Sequence, residues 1–339
     1  MVGRILTASL HALGVAMFYL GGAGLVRRLG SKNPKILLYH DCSSQETEYT
    51  ADLECTTSPE RFEQHLSYLQ RHYRFVDLDT ILSGRAPANS VAITFDDGYA
   101  SVYDHAFPVL KDKQAPATIY LISSVMDNDS LVWVNELNAL VRRGGSAAVV
   151  CVRRHFDIGE AESPAEIISF CRLHYRPEKM HALLEDLRRL LNTPVAEHAA
   201  QARLYLTWDQ VREMRSAGIE FGNHSRTHPN MECLSEDEQA AEIGAAQEEL
   251  QAHLPSVRAF AHPFGHRGPA TAQLAARAGL GSVAEVGGHN APISALRLGR
   301  THLANESVAG LFARMEVVEP VKALLRRRLQ HTGTDAASR

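Results

Sequence analysis

The stretch SVAITFDDG, residues 90–98, sets an apolar run against two adjacent carboxylates. The stretch reads as a buried strand that finishes at the carboxylate pair, because Val, Ile, Thr and Phe suit a pleated surface packed on both sides. Side chains alternate across a strand, so Asp96 and Asp97 are expected to face different partners and to take two different roles.

Working outward, the same rhythm repeats. SVYDHAFPVLKDKQ (101–114) reads as a helix and PATIYLISS (116–124) as a strand. Upstream, PKILLYHDCSS (34–44) is an apolar run ending in His40 and Asp41, a strand followed by a loop. Next comes a helix capped by Ser58, with Pro59 at its first position and apolar spacing at Phe62, Leu66 and Leu69. RFVDLDTILSG (74–84) gives a strand and a short helix closed by Gly84. The pattern resumes after residue 203 with a helix capped by Thr207 and ended by Gly218, the strand and loop IEFGNHSRTHPN (219–230), a long helix, and the strand VRAFAHPFG (257–265). Alternating strands and helices predict an α/β fold with a parallel sheet, closed or partly closed. From about 128 to 203 the rhythm breaks. There AAVVCVRRHFDIG (147–159) reads as a strand or hairpin and the following segments as two helices, so this region is expected to be a mostly helical insertion.

The chain of 339 residues is 45% hydrophobic and 22% charged, with a formal net charge of -4. Such a near-neutral balance gives no reason to expect a nucleic-acid partner. Cysteines at 42, 55, 151, 171 and 233 form no Cys-x-x-Cys pair and read as free thiols rather than a disulfide framework. Ile5–Val26 carries no Lys, Arg, Asp or Glu, which is long enough for a transmembrane helix and predicts an uncleaved single-pass anchor within residues 1–30. Arg27, Arg28, Lys32 and Lys35 follow it, and the positive-inside tendency then favours a cytoplasmic catalytic domain. The basic stretch VKALLRRRLQ (321–330), in the tail 306–339, reads as a solvated terminal helix or as one lying on an anionic membrane surface.

His224 and His228, with three residues between them, follow a strand. Two imidazoles converging with one carboxylate make a known ligand type for a catalytic metal with an open position. One aspartate of the pair would then bind metal and the other remain free as a base. Such a set accepts zinc, and cobalt or nickel as well.

TFDDG, HSRTH and FAHPFG are similar, in this order, to three motifs of the polysaccharide deacetylases (the NodB homology family), and ILLYHD and the stretch around LTWDQVREM resemble the poly-N-acetylglucosamine deacetylase branch. The resemblance covers about 34 to 300, apart from the insertion, and places a catalytic domain at 34–305. It implies a distorted (β/α) barrel of fewer than eight strands and a divalent metal, commonly zinc. It also implies a hydrolase that removes N-acetyl groups from amino sugars of a surface or exported polysaccharide. In those terms Asp96 is the general base and Asp97, His224 and His228 are the metal ligands. The Tyr99 backbone N–H aids the oxyanion, and Pro263 and Phe264 shape the acetyl pocket. His40 is taken as the general acid by its placement after the first strand, with His302 and His289 as alternatives by position. The third motif usually begins with an arginine that orients the base. Here His262 stands at that place, and Arg297 or Arg300 is expected to supply the cation. Trp133 is either a sugar-stacking platform or a core residue. Two other readings are a deacylase of a lipid-linked amino sugar at the membrane and an inactive carbohydrate-binding homologue. The charge bias after the anchor favours the cytoplasmic side, whereas the resemblance favours an exported domain.

Overall fold

The computed structural model describes residues 2–325 apart from 31, 267, 269, 289, 291 and 292. The strands are β1 (Lys35–Tyr39), β2 (Arg74–Phe75), β3 (Ser90–Phe95), β4 (Ala117–Leu121), β5 (Glu220–Asn223), β6 (Ala259–Ala261), β7 (Ser282–Val286) and β8 (Leu298–His302). Neighbours run β1-β8-β7-β6-β5-β4-β3, and β1 also pairs in parallel with β3, from Lys35 opposite Val91 to Tyr39 opposite Phe95. Seven parallel strands therefore close a barrel, while the two-residue β2 pairs only with the first residues of β3. Every residue of β1 and β3 is buried, which is why both read as continuous apolar runs. All the strand ends that carry His40, Asp96, His224, His262 and His302 open on the same rim, where parallel barrels build their sites.

At the N-terminus the chain forms α1 (Val2–Tyr19) and α2 (Ala23–Leu29), whose axes meet at 116°. The expected uninterrupted span over Ile5–Val26 is corrected: no single helix among the described residues is long and apolar enough to cross a membrane. Gly21 and Gly22 provide the physical reason. Gly21 takes a φ of 79°, a left-handed value that ends a helix. Instead, α1 lies on the helical segment 308–318, where a Cβ added to Gly14 would come within 2.6 Å of the Ala313 Cβ. That segment stays helical to Leu325, and the Arg-rich part of VKALLRRRLQ lies outside the described residues, as does His289.

The helices after β1 follow their sequence signals. In α3 (Pro59–His72) the Ser58 hydroxyl accepts from the Arg61 N–H at 3.3 Å, and Phe62, Leu66 and Leu69 are buried. Next come α4 (Leu78–Leu82) and α5 (Phe107–Asp112). Between β4 and β5 stand α6 (Trp133–His155, broken at Gly145), α7 (Pro164–Leu173), α8 (Pro177–Leu191) and α9 (Val195–Ala202), ahead of α10 (Trp208–Ser216). The strand or hairpin expected at 147–159 is instead the second half of α6. Its β-branched residues suggested a strand, but Ala148, Cys151 and Val152 recur at helical spacing, and α6 packs on α8. After β5 comes α11 (Glu236–His253), opened by a reciprocal Ser235–Glu238 cap.

Candidate active site

β3 ends at Phe95, and the Asp96 N–H still donates to the Tyr39 carbonyl at 3.0 Å, so Asp96 is held as if on the strand. Asp97 is not. Its φ of 70° turns the chain, a conformation that aspartate tolerates better than most residues. Strict alternation therefore fails, and both carboxylates face one centre: His224 Nε2 lies 3.7 Å from Asp96 Oδ2 and 3.3 Å from Asp97 Oδ1. Gly98 completes the turn with a φ of 70°, and a Cβ there would lie 2.8 Å from Leu121 Cδ2.

His224 follows β5, and its Nδ1 bonds the Ala261 carbonyl at 2.9 Å. That nitrogen must carry the proton, which leaves the lone pair of Nε2 facing the centre. His228 Nε2 also lies 3.3 Å from Asp97 Oδ1. His228 has a φ of 59°, and its position is fixed on both sides. Its N–H donates to Ser225 Oγ at 3.1 Å, and Trp133 Nε1 donates to its carbonyl at 2.9 Å. Burial pushes the His228 imidazole down to about 3, so it is neutral and presents lone pairs.

These distances test whether a metal fits. Two ligand atoms at 2.0–2.2 Å from one tetrahedral ion stand about 3.3 Å apart, whereas a charge-assisted hydrogen bond is about 2.8 Å. The Asp97 oxygen has no hydrogen-bond donor although it is buried. Burial would raise its pKa, but His228 and then the other imidazoles outweigh this and hold the carboxyl far below its usual range. The donor set fits a divalent cation. A second group, Cys151, His155 and Asp186, differs: His155 Nε2 sits 2.8 Å from Asp186 Oδ2, and Arg189 takes the other oxygen at 3.0 Å, as in an ordinary ion pair.

Asp96 has a different partner. Arg300, fully buried on β8, donates from Nη1 and Nη2 to its two oxygens at 2.6 and 2.7 Å, and its guanidinium lies over the Tyr120 ring. Burial would raise the Asp96 pKa, yet Arg300 and then His224 outweigh it and keep the carboxyl ionised. Arg297, the other cation considered, pairs with Glu285. His262 is buried at the end of β6 beside Phe260, and the Asp96 oxygens are gripped from β8 rather than from there.

His40 follows β1, with its ring 5.2 Å from that of His302. Burial lowers the pKa of both; Asp97 and Asp96 pull that of His40 back up, while that of His302 falls to about 3. Phe264, at a φ of 56° in the turn Pro263–Gly265, sets its ring 4.3 Å from that of His228. Trp133 is 5% exposed and packs on Phe264 and Tyr175, so it supports His228 and the pocket wall from behind instead of offering an open stacking face. The Tyr99 ring is buried against Tyr205, and its hydroxyl accepts from Asn135 Nδ2. Sequence reasoning missed Ser225, Asn223 and Ala261. Asn223 Oδ1 accepts from the Ser225 N–H at 2.8 Å, so the polar pair flanking His224 in GNHS was the available signal; the Ala261 carbonyl left none.

A closed parallel barrel with paired carboxylates and imidazoles gathered on its rim has the make-up of an α/β-barrel enzyme. The family model for polysaccharide deacetylase matches residues 83–283, and the chain belongs to that family. It is 35% identical over 88 residues to the poly-beta-1,6-N-acetyl-D-glucosamine N-deacetylase of Staphylococcus epidermidis, covering 24% of this chain and 30% of that protein. The Staphylococcus aureus protein of the same name is 34% identical over 99 residues, covering 26% of this chain and 34% of its own. These matches span about a third of the relatives' length. Among solved structures, the fold is similar to the Streptococcus pyogenes deacetylase PplD in complex with acetate, with a TM-score of 0.56 at 23% identity over 85% of this chain and 99% of that one. IcaB from Ammonifex degensii gives 0.55 at 20% identity over 84% and 98%.

Proposed function

We propose that this chain is a divalent-metal-dependent N-deacetylase acting on N-acetylated amino sugars of a polysaccharide. The observation that carries the reading is the division of labour between neighbouring aspartates: Asp96 paired with Arg300, Asp97 facing two imidazoles at 3.3 Å. Family membership and the curated relatives, whose names specify a poly-N-acetylglucosamine substrate, support the substrate class.

Asp97, His224 and His228 would hold the ion, zinc by preference and cobalt or nickel as alternatives. When bound there, it supplies Lewis acidity toward the acetamide carbonyl and toward water. Asp96 keeps a free lone pair on each oxygen after accepting from Arg300, and takes the proton of the attacking water. An amide nitrogen cannot leave as an anion, so the departing amine must be protonated, and His40 gives that proton. An imidazole whose burial disfavours the charged form releases its proton readily.

Acetate release from N-acetylglucosamine oligomers by the full chain, with zinc or with chelator, tests this reading. Release that is lost in chelator and in Asp96→Asn supports it. Release that survives both overturns it. A lipid-linked amino sugar is the second reading, favoured by the apolar side chains that α1 leaves exposed, Ile5, Leu6 and Leu13.

A further inference from the structure

We propose that α1 and α2 seat the barrel on an anionic bilayer surface by lying in its interface, without crossing it. The argument starts from two faces of one helix. The inner face of α1 is docked: Gly14 meets Ala313 and Val317, and the Phe18 ring packs on Phe312 and Tyr68. A helix so docked on a water-soluble barrel would carry polar residues outward. Here the outer face shows Ile5, Leu6, Leu13 (53% exposed), Tyr19 and Leu20 (86% exposed), and α2 continues it with Leu25 and Leu29. Half of the large exposed apolar side chains among the described residues, seven of fourteen, sit on these two helices and the turn between them. An apolar surface so concentrated marks something it adheres to.

Charge selects the partner. Residues 1–40 contain five basic residues, Arg4, Arg27, Arg28, Lys32 and Lys35, and no Asp or Glu; Lys35 is buried against Glu316 and Arg27 donates to Tyr68, whereas Arg28 and Lys32 are exposed. Exposed Arg28 lies beside Leu29 on α2. An apolar stripe edged by the exposed cations Arg28 and Lys32 complements acyl chains beneath anionic headgroups. The 116° bend between α1 and α2, together with the docking of α1 along its length, suits a segment lying on a surface rather than one passing through it.

The test is flotation of the full chain with phosphatidylcholine vesicles, with and without phosphatidylglycerol. Leu13→Gln/Leu20→Gln serves as the variant, because both side chains point away from the fold, and circular dichroism checks that it stays folded. The expected result is binding to the anionic vesicles that the variant weakens at least tenfold and that rising salt also weakens. Absence of binding, or binding equal in the variant, overturns the proposal. So does resistance of the bound protein to alkaline carbonate extraction, which would show a spanning anchor. A dimer in light scattering that the variant converts to monomer, without vesicle binding, assigns the stripe to a second copy and also overturns it.

Discussion

Arg300 on β8 holds both carboxylate oxygens of Asp96 at the end of β3, across the intervening β1. Arg300 is fully buried and Asp96 only 3% exposed, so water screens the pair very little. Such a pair is costly to break from one side, because the remaining charge is left buried and unpaired.

Arg300→Ala should therefore destabilise the protein by about 3–5 kcal/mol. It should also depress turnover by at least tenfold, with the proton-accepting role of Asp96 impaired. With the guanidinium gone, burial dominates and the Asp96 pKa rises, so the acidic limb of the kcat/KM profile should move to higher pH. Arg300→Lys keeps the charge but not the two-pronged geometry and should fall between. Equal acidic limbs in wild type and Arg300→Ala, in protein shown to be folded by circular dichroism, would show that Arg300 does not set the state of the base.

His40 and His302 stack edge to face, and only one is expected to deliver the proton. The carboxylates Asp97 and Asp96 help His40 to hold a proton, whereas burial drives His302 down to about 3 with less opposition. His40→Asn should lower kcat on an N-acetyl sugar by about 10²–10⁴-fold, the usual size of a general-acid contribution, and His302→Asn by much less. An aryl acetate ester offers a built-in control, because its leaving group departs without a proton. His40→Asn should lose far less activity on the ester than on the amide, and an equal loss on both would remove His40 from the acid role.

How much of this was legible in the chain depends on where the information lies. Asp96, Asp97, His224 and His228 each follow an apolar run, and strand ends of a parallel barrel share one rim, so local pattern alone gathers them. The left-handed φ of Asp97 is invisible to a rule of alternation, and it is what brings the second carboxylate back to the first. Local spacing could not separate Arg300 from Arg297, because the choice rests on barrel closure between β1 and both β3 and β8, which brings Arg300 to Asp96 across 204 residues. In α6 the valines argued for a strand, and burial against α8 overrode that preference. The break in the N-terminal apolar run was written as Gly21–Gly22, but hydropathy summed over the segment hid it.

The last prediction concerns the helices between β4 and β5. Glu136 on α6 is buried and accepts from Arg188 on α8 at 2.7 and 2.6 Å, with His198 of α9 3.9 Å away. Burial raises the Glu136 pKa, but His198 and Arg188 outweigh it and leave the carboxyl below its ordinary value. A group whose folded pKa is depressed lends stability that is complete above its unfolded pKa, near 4.3, and is lost as pH falls through the folded value. Urea unfolding should therefore show stability falling as pH drops below about 4.5. Glu136→Gln should already be less stable at pH 7, by up to about 3 kcal/mol, and should show a shallower decline on acidification than wild type. Parallel pH curves for the two proteins would mean that the ionised Glu136 does not tie α6, α8 and α9 together.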